Sequence, residues 1–459
     1  MKKIIMMVAA MLTLSAQATM AQKINAESYK SKIEKSNEAT QNAKKSQKAS
    51  TWITRGNAYL DALQAPTESL FTSMDVAMLK LTCGEPKSAG SEEINGTAFT
   101  TFVYPFFTVY AVNDKVAGWK VTKYIDKNAG KIAFDSYSKA YELDADQASK
   151  IKEGMEKLVN YYAQVGDISN VLSDYVAGAE AYTSVYDIQS HPAFNTANPL
   201  MLYYAGYMYT IGGNNDSSLY AKGAEVLNRA VEAGYPELEL KETETDDKDK
   251  GNIFYYLYHC YYGQKDADSA NVLKAKEALV KGVEMFPKNQ RIIDALTQLY
   301  TTEEGMGDPS ELISMIDGAI QADPSNSDLW YARGRVYFAL KDYDNCIESF
   351  TKVTELAPEV FDGYFYLGLF YIYKGDALND EISNKTYTEN SEYKADMDAA
   401  NAVYADAIPI LERAHKIKPE DLATVEYLKS LCFRLRDDAA IMEKYTQYND
   451  LYNQMKDNQ

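Results

Sequence analysis

Histidine and cysteine, the side chains that most often carry catalysis or bind metals, are few and scattered in this sequence of 459 residues. The three histidines, His191, His259 and His415, are far apart, and there is no Gly-x-Ser-x-Gly, His-Glu-x-x-His or glycine-rich phosphate-binding motif. The many carboxylates fall on the outer faces of predicted helices, where charged groups are usually solvated, so no two stand out as an acid and base pair. We therefore expect no active site, no metal and no cofactor.

The four cysteines also lack a chemical pattern. Cys83, Cys260, Cys346 and Cys432 form no Cys-x-x-Cys pair and no Cys/His metal spacing. Cys260, Cys346 and Cys432 each lie in a predicted helix beside aromatic and small residues, and free cysteine is one of the most frequently buried residue types. We expect four reduced thiols rather than disulfides.

The net charge of the chain limits which classes of partner are expected. Lysine and arginine number 47 against 66 acidic residues, which gives a net charge of −19 at pH 7. Such an excess repels phosphates and anionic headgroups, so nucleic acids and membrane surfaces are disfavoured as partners. A hydrophobic fraction of 46% is that of a globular protein, which leaves a protein or a small ligand as the partner.

The amino terminus has the pattern of a secretory signal. Two lysines precede the apolar run Ile4–Leu14, which is too short to span a membrane, and small residues follow it. We predict a signal peptide over residues 1–21, cleaved after Ala21, with Ala18 as the competing site. The mature chain would then be in the periplasm, or alternatively secreted or associated with the outer membrane. A cytosolic amino-terminal helix is the competing interpretation.

Residues 327–360 have the spacing of two amphipathic helices joined in a hairpin. Bulky and small residues recur three and four positions apart in each half, and a proline follows the second half. The small residues mark where the two helices touch, and aromatic rings fill the space on either side. The residues that define this unit are Trp330, Gly334, Tyr337, Cys346, Phe350 and Pro358.

This unit resembles the tetratricopeptide repeat, whose pattern is Trp-x-x-Leu-Gly-x-x-Tyr, then Ala-x-x-x-Phe, then Pro. Arg333 stands in place of the leucine and Cys346 in place of the alanine. Both fit, because an arginine stem covers apolar surface and cysteine is nearly as small as alanine. The resemblance implies an all-α fold, a right-handed superhelix of stacked helical hairpins.

Two further copies of the repeat follow this unit. Gly368, Tyr371 and Pro419 mark one over residues 361–421, which carries a polar insertion between its two helices. Residues 422–459 have the pattern of a closing hairpin with a polar outer face, which an open stack of repeats needs.

Weaker copies of the repeat precede it, so about eight hairpins are expected. Residues 148–326 hold several of them. Trp52, Gly56 and Tyr59 begin a first repeat over residues 49–147, whose second helix comes only after a long insertion. A polar leading helix or arm is expected over residues 22–48.

The insertion, at about residues 62–128, breaks the helical pattern. Thr97–Asp126 is rich in aromatic and β-branched residues and contains the turn pair Asn113-Asp114, which predicts a β-hairpin. Two strands are marginal alone in water, so the hairpin must pack on the first repeats or on a partner. A plain cap on the stack and a binding surface are both open interpretations.

Resemblance to the repeat family also implies where a partner would bind. In that family the first helix of each hairpin lines an inner groove, and the corresponding positions here are largely aromatic. They would suit an extended peptide or a partner helix; alternatively, the rings fill gaps between hairpins. The expected groove residues are Tyr203, Tyr207, Tyr255, His259, Tyr262, Tyr331, Arg335, Phe338, Phe365 and Tyr373.

The sequence thus favours a non-enzymatic scaffold for protein interaction. The alternative is a glycan-binding module of an outer-membrane nutrient-uptake system, a class that also uses aromatic platforms on such hairpins. It is less favoured because those proteins usually begin with a lipidated cysteine, whereas the first cysteine here is Cys83. No pattern in the sequence identifies the partner or the oligomeric state.

Overall fold

The computed structural model describes residues 24–241, 250–287, 289–303, 308 and 310–457, and the predicted signal peptide lies outside them. The described chain consists of helices and one small sheet. The helices are α1 (Ala26–Gln41), α2 (Ala49–Gln64), α3 (Val76–Cys83), α4 (Ala129–Leu143), α5 (Ala148–Val171), α6 (Tyr175–Gln189), α7 (Leu200–Gly213), α8 (Leu219–Glu232), α9 (Tyr235–Lys241), α10 (Asn252–Tyr262), α11 (Ala270–Met285), α12 (Gln290–Thr302), α13 (Ser310–Ala322), α14 (Ser327–Ala339), α15 (Tyr343–Leu356), α16 (Phe361–Asn384), α17 (Asn390–Ile417), α18 (Leu422–Arg434) and α19 (Ala439–Asp457).

The helices form two compact units, of which the first ends at Tyr235 and the second begins at Pro236. The first unit contains α1 to α8 and the sheet, and α9 begins at the boundary. The second unit contains α10 to α19.

Most of the helices pair into hairpins within each unit. In the first unit, α2 pairs with α4 across the insertion, α5 with α6 and α7 with α8. In the second, the pairs are α10 with α11, α14 with α15, α16 with α17 and α18 with α19. Between α12 and α13, the Tyr300 hydroxyl donates a hydrogen bond of 3.0 Å to Glu311. These eight hairpins of the described chain confirm the predicted all-α class of stacked hairpins.

The hairpin of α14 and α15 shows why the repeat needs small residues opposite large ones. A Cβ atom on Gly334 would lie 2.5 Å from the Phe350 ring, so only glycine allows the two helices to approach this closely. Phe350 is completely buried, and the Cys346 thiol donates to the Gly334 carbonyl at 3.4 Å. The crossing is therefore packed without space for an added methyl group.

Arg333, which stands where the family pattern has leucine, links three helices. Its guanidinium carbon lies 5.7 Å from the centre of the Trp330 ring and 4.8 Å from that of Tyr337. Its Nη1 donates to Ser349 of α15 at 2.8 Å, and its Nε donates to Asp317 of α13 at 2.9 Å. The residue thus ties α14 to the helix after it and to the helix before it.

Arg55 makes the same set of contacts in the split first repeat. Its guanidinium carbon lies 5.8 Å from the Trp52 ring and 5.1 Å from the Tyr59 ring. Its Nη1 donates to Ser136 of α4 at 2.8 Å, and its Nε donates to Asn37 of α1 at 2.8 Å. The contacts correspond one by one to those of α14, and α2 pairs with α4 across the insertion as α14 pairs with α15. The leading segment is a packed helix, α1, which stands beside α2 as α13 stands beside α14.

The polar insertion in the hairpin of α16 and α17 is helical, because it lengthens both helices. Ile382 and Ala400 are buried in these extensions. The Tyr404 hydroxyl donates to Asp376 and accepts from the Asn379 amide at 2.8 Å, which fixes α17 against α16.

The insertion in the first repeat contains the predicted β-hairpin and two further strands. The hairpin turns at Asn113-Asp114, where both residues have positive φ, as tight hairpin turns require. The sequence pattern missed β1 because serine, glycine and glutamate have low strand propensity; the strand forms because it pairs with β2 along its whole length. The antiparallel sheet, in chain order, consists of β1 (Ser88–Ile94), β2 (Thr97–Val103), β3 (Phe107–Val112) and β4 (Lys115–Val121).

The sheet packs on the second hairpin of the first unit. A Cβ atom on Gly118 of β4 would lie 2.9 Å from Ile168 of α5, so the strand and the helix are in close contact. The Asn95 amide, in the turn between β1 and β2, donates to the Ser173 hydroxyl at 2.7 Å. The sheet is therefore held by the repeats at its β4 side and at one of its turns.

The close contact at Gly334 predicts that Gly334→Ala lowers the free energy of unfolding by about 1 to 3 kcal/mol, because the added methyl group overlaps the Phe350 ring. Gly318→Ala is the matched control, since a Cβ atom there meets nothing within 4 Å. It should instead stabilise α13 by about 0.5 to 1 kcal/mol, through helix propensity alone. Urea unfolding followed by circular dichroism measures both changes. Equal effects of the two substitutions would contradict the close crossing.

Candidate partner-binding stripe

All ten predicted groove residues lie on the first helices of their hairpins, and all are half-buried. Tyr203 and Tyr207 lie on α7 of the first unit, where the Tyr203 ring stacks on Tyr235 with centroids 4.6 Å apart. The other eight lie on three first helices of the second unit and are here called the stripe. The stripe consists of Tyr255, His259, Tyr262, Tyr331, Arg335, Phe338, Phe365 and Tyr373.

Ring contacts join the stripe residues of α14 to those of α16. The Tyr331 ring lies 5.9 Å from Tyr366 in an edge-to-face arrangement. The Phe338 ring lies 5.3 Å from Phe370 and 5.4 Å from Tyr373. These side chains pack on the core with one side and are partly exposed on the other. They fill the junction between hairpins and also contribute to the surface.

The same arrangement continues from α16 to α18. The Phe365 ring lies 6.1 Å from Tyr427 and 5.3 Å from Phe361. Phe365 packs against the buried cluster of the last two hairpins while it is itself only half-buried. The first helices of three successive hairpins thus share one row of aromatic contacts.

At the other end of the stripe, α10 is joined to the end of α12 by polar contacts. The Tyr262 hydroxyl donates to Glu303 at 2.5 Å, and Lys265 donates to the same carboxylate oxygen at 2.8 Å. The pKa of Glu303 is lowered mainly by the hydrogen bond from Lys265 and also by the one from Tyr262. His259 lies 4.5 Å from the Tyr255 ring, and burial lowers its pKa, so its imidazole is neutral at neutral pH.

Arg335 is the charged member of the stripe, and its charge is already paired. Its Nη2 donates to Asp294 of α12 at 2.6 Å, which ties α14 to the first helix before it. Its Nε is buried and has no hydrogen-bond partner in the described part of the chain. An unpaired buried donor costs about 1 to 3 kcal/mol, which an acceptor on a bound partner would offset if the guanidinium turned toward it.

Four residues that complete the stripe were missed by the sequence analysis: Asp294, Glu303, Tyr366 and Tyr427. A signal for Asp294 exists, because Ile293 and Tyr300 have the same spacing as Trp330 and Tyr337, which puts Asp294 at the position of Tyr331. Glu303 lies beyond the end of its helix, so the helical spacing could not indicate it.

The described residues contain no group of three or more His, Cys, Asp or Glu side chains placed to hold a metal ion. A cavity of about 290 Å³ between α11, α13 and α14 is lined mainly by apolar side chains, such as Val283, Met315 and Leu329, and includes no stripe residue. Within the described ranges, none of the helices combines the length and apolar character that crossing a bilayer requires.

Comparison with known proteins supports the assignment of a tetratricopeptide repeat from the sequence. Residues 327–360 match the family model for the tetratricopeptide repeat. A segment of 142 residues is 31% identical to the mitochondrial import receptor subunit TOM70 of Saccharomyces cerevisiae, in strains YJM789 and S288c. That match covers 30% of this chain and only 22% of the length of the yeast protein.

Solved structures of similar fold include a TPR repeats protein from Bacteroides fragilis NCTC 9343, with 14% identity, a TM-score of 0.28 and coverage of 64% of this chain and 98% of that one. YrrB, described as a TPR protein with an unusual peptide-binding site, has 16% identity and a TM-score of 0.24, over 49% and 94% of the two chains. The TPR2AB domain of yeast Sti1, in a pHSP90 complex, has 15% identity and a TM-score of 0.22, over 66% and 99%.

The four cysteines are reduced thiols, and their burial predicts an order of reactivity. Burial raises the pKa of Cys346 to about 12 and that of Cys432 to about 11, and Cys260 is also buried, whereas Cys83 is only half-buried. Since the thiolate is the reactive form, iodoacetamide at pH 8 should alkylate Cys83 at least about tenfold faster than the other three. Peptide mass spectrometry measures the rates, with urea-unfolded protein as the control. Equal rates in the folded protein would contradict the packing at Cys346.

Proposed function

Because the chain is a tetratricopeptide-repeat protein, we propose that it is a non-enzymatic scaffold that binds a protein or peptide partner along the stripe. The observation that carries this proposal is the row of half-buried aromatic side chains on adjacent first helices, from Tyr331 to Phe365. A row of this kind is anchored by the core on one side and retains exposed area on the other. It therefore offers rigid contact area to a partner at low entropic cost.

The chemistry of the stripe suits a partner bound by aromatic contact and by backbone hydrogen bonds. Tyr331 and Tyr255 carry hydroxyl groups that can donate to or accept from a peptide backbone. Arg335 is paired with Asp294, Lys265 with Glu303 and Lys374 with Asp344, so these positive charges at the stripe are locally neutralised. Binding there should accordingly depend little on ionic strength, unlike binding driven by the net charge of the whole chain.

Site-specific photo-crosslinking tests this proposal. The full-length chain, with p-benzoylphenylalanine at Tyr255 or Phe365, is irradiated in its native cells, and the products are identified by mass spectrometry. The control position is Tyr393 of α17, which is 44% exposed and does not belong to the stripe. One protein crosslinked at both stripe positions and not at Tyr393 is the expected result. Crosslinks to polysaccharide alone would replace the proposal with the glycan-binding alternative.

The affinity for that partner should fall at least about tenfold in Tyr255→Ala and in Phe365→Ala, because truncation of a central aromatic contact commonly costs more than about 1.4 kcal/mol. Tyr393→Ala should leave the affinity unchanged. Calorimetric titration measures the binding, and thermal unfolding of each variant controls for the fold. If both stripe variants unfold at markedly lower temperature, the two rings serve the core rather than a partner.

We propose further that the protein acts outside the cytoplasm, in the periplasm. Support comes from the amino-terminal pattern of two lysines, the apolar run Ile4–Leu14 and the small residues before Gln22. The intact mass of the protein from fractionated cells should then correspond to a chain that begins at Gln22. A mass that includes residues 1–21, found in the cytoplasmic fraction, would exclude export.

A further inference from the structure

The two edges of the β-sheet differ in how they are covered. At the β4 edge, the segment before α3 forms backbone hydrogen bonds with the strand. The Ser73 N–H donates to the Val116 carbonyl at 2.7 Å, and the Val116 N–H donates to Met74 at 2.8 Å. The Val76 N–H donates to the Asp114 carbonyl at 3.0 Å. This edge is therefore covered at its end over residues 114–116.

The β1 edge is open. β1 pairs with β2 without interruption, from Ser88 opposite Val103 to Ile94 opposite Thr97. Within the described part of the chain, its other side has no backbone partner. In an antiparallel pair, alternate residues direct their N–H and C=O groups away from the neighbouring strand, so β1 presents a row of free donors and acceptors. All of its residues except Ile94 are exposed.

Proteins usually protect such an edge with a proline, a bulge, a very short strand or charged side chains. β1 has only the charges of Glu92 and Glu93 at one end: it is seven residues long, it contains no proline, and the irregularity of the sheet lies elsewhere, at Tyr110 and Ala111. Its first four residues, Ser88–Ser91, have small side chains that leave the edge sterically accessible. The strand is also held in place, because the turn after it is hydrogen-bonded to Ser173. A partner strand would therefore not need to order β1 first.

The charge at this edge selects its occupant. β1 ends with Glu92 and Glu93, both exposed, and the chain as a whole has a net charge of −19. A second copy of the chain would meet this charge with its own and be repelled. A segment with lysine or arginine at alternate positions would be attracted at long range and also beside the glutamate on its own face of the sheet, since alternate side chains of a strand share one face.

We propose that β1 is a docking strand, which an extended cationic segment of a partner protein joins as a fifth strand of the sheet. The backbone edge supplies the affinity, and the two glutamates, one on each face of the sheet, select positive side chains. The site belongs to the first unit and shares no residue with the stripe, so it stands independently of the function proposed above.

Binding of designed peptides to the full-length chain tests the proposal. The probe is a fluorescent nine-residue peptide in which lysine alternates with threonine and valine. One control carries glutamate in place of lysine, and another carries N-methyl groups at alternate amides, which block one edge of the peptide. The lysine peptide should bind at least about tenfold more tightly than either control by fluorescence anisotropy, and it should slow hydrogen exchange in residues 88–94. Equal binding of the N-methylated peptide would overturn the proposal.

Charge reversal at Glu93 distinguishes the edge from the general acidity of the chain. The pKa of Tyr110 is raised to about 12, mainly by burial and also by the nearby charge of Glu92. Because Glu92 thus interacts with a buried residue of the sheet, Glu93 is the better site to change. Glu93→Lys should weaken the binding of the lysine peptide about threefold to tenfold. Glu34→Lys on α1 makes the same change in net charge and should have no effect. Equal weakening by both variants would contradict a site at β1.

Proline substitution tests the backbone directly. Of the adjacent residues Gly90 and Ser91, one directs its N–H to β2 and the other directs it outward. The variant of the outward residue, Gly90→Pro or Ser91→Pro, should keep the thermal stability of the native chain and lose peptide binding. Sedimentation of the free chain provides a further measurement. If the native chain is a dimer and the variant with proline at the outward position is a monomer, a second copy of the chain binds β1. That result would overturn the proposal of a cationic partner.

Discussion

The close approach of two helices at a glycine that faces a bulky side chain is the contact on which the stack depends. Where the second helix contributes a tyrosine, the residue after the glycine accepts its hydroxyl, so the buried ring also has its hydrogen bond satisfied. This arrangement fixes the distance and the register of the two helices, and hence which residues of the first helix face outward. The sets of glycine, acceptor and tyrosine are Gly56, Asn57 and Tyr137; Gly166, Asp167 and Tyr182; Gly213, Asn214 and Tyr220; and Gly375, Asp376 and Tyr404.

Much of the fold could be predicted because these contacts are local in sequence and leave a spacing that can be counted. Even the pairing of α2 with a helix beyond the insertion could be predicted, since Trp52, Gly56 and Tyr59 keep their spacing before it. Arg55 and Arg333 each lie three residues after the tryptophan of their helix, but the sequence analysis noted only Arg333, as a departure from the family pattern. Its role depends on partners in two other helices. β1 could not be predicted, since the strand is specified by pairing with β2 rather than by its own residues.

The candidate site was predictable in residue type and in the helices that carry it, but not in its electrostatics. The spacing indicates that Tyr331 and Arg335 share a face of α14, and the structure has them both half-buried on that helix. The neutralising carboxylates, Asp294 and Glu303, come from a different hairpin about forty residues away, and no local pattern connects them to their partners. The positive charges of Arg335 and Lys265 are therefore neutralised within the protein, which the residue types of the stripe alone do not indicate.

The insertion that separates α2 from α4 also has a consequence for how the chain folds. α2 ends at Gln64, and its partner begins only at Ala129, so the first hairpin is the least local pairing among the repeats. Closing so long a loop carries a larger entropic cost than closing a hairpin whose helices follow one another directly. During synthesis α2 emerges well before the helix that completes it, while later hairpins form from neighbouring segments. The amino-terminal repeat, although made first, is accordingly completed by a slow, long-range step, and its apolar face is exposed for longer than that of any hairpin after it.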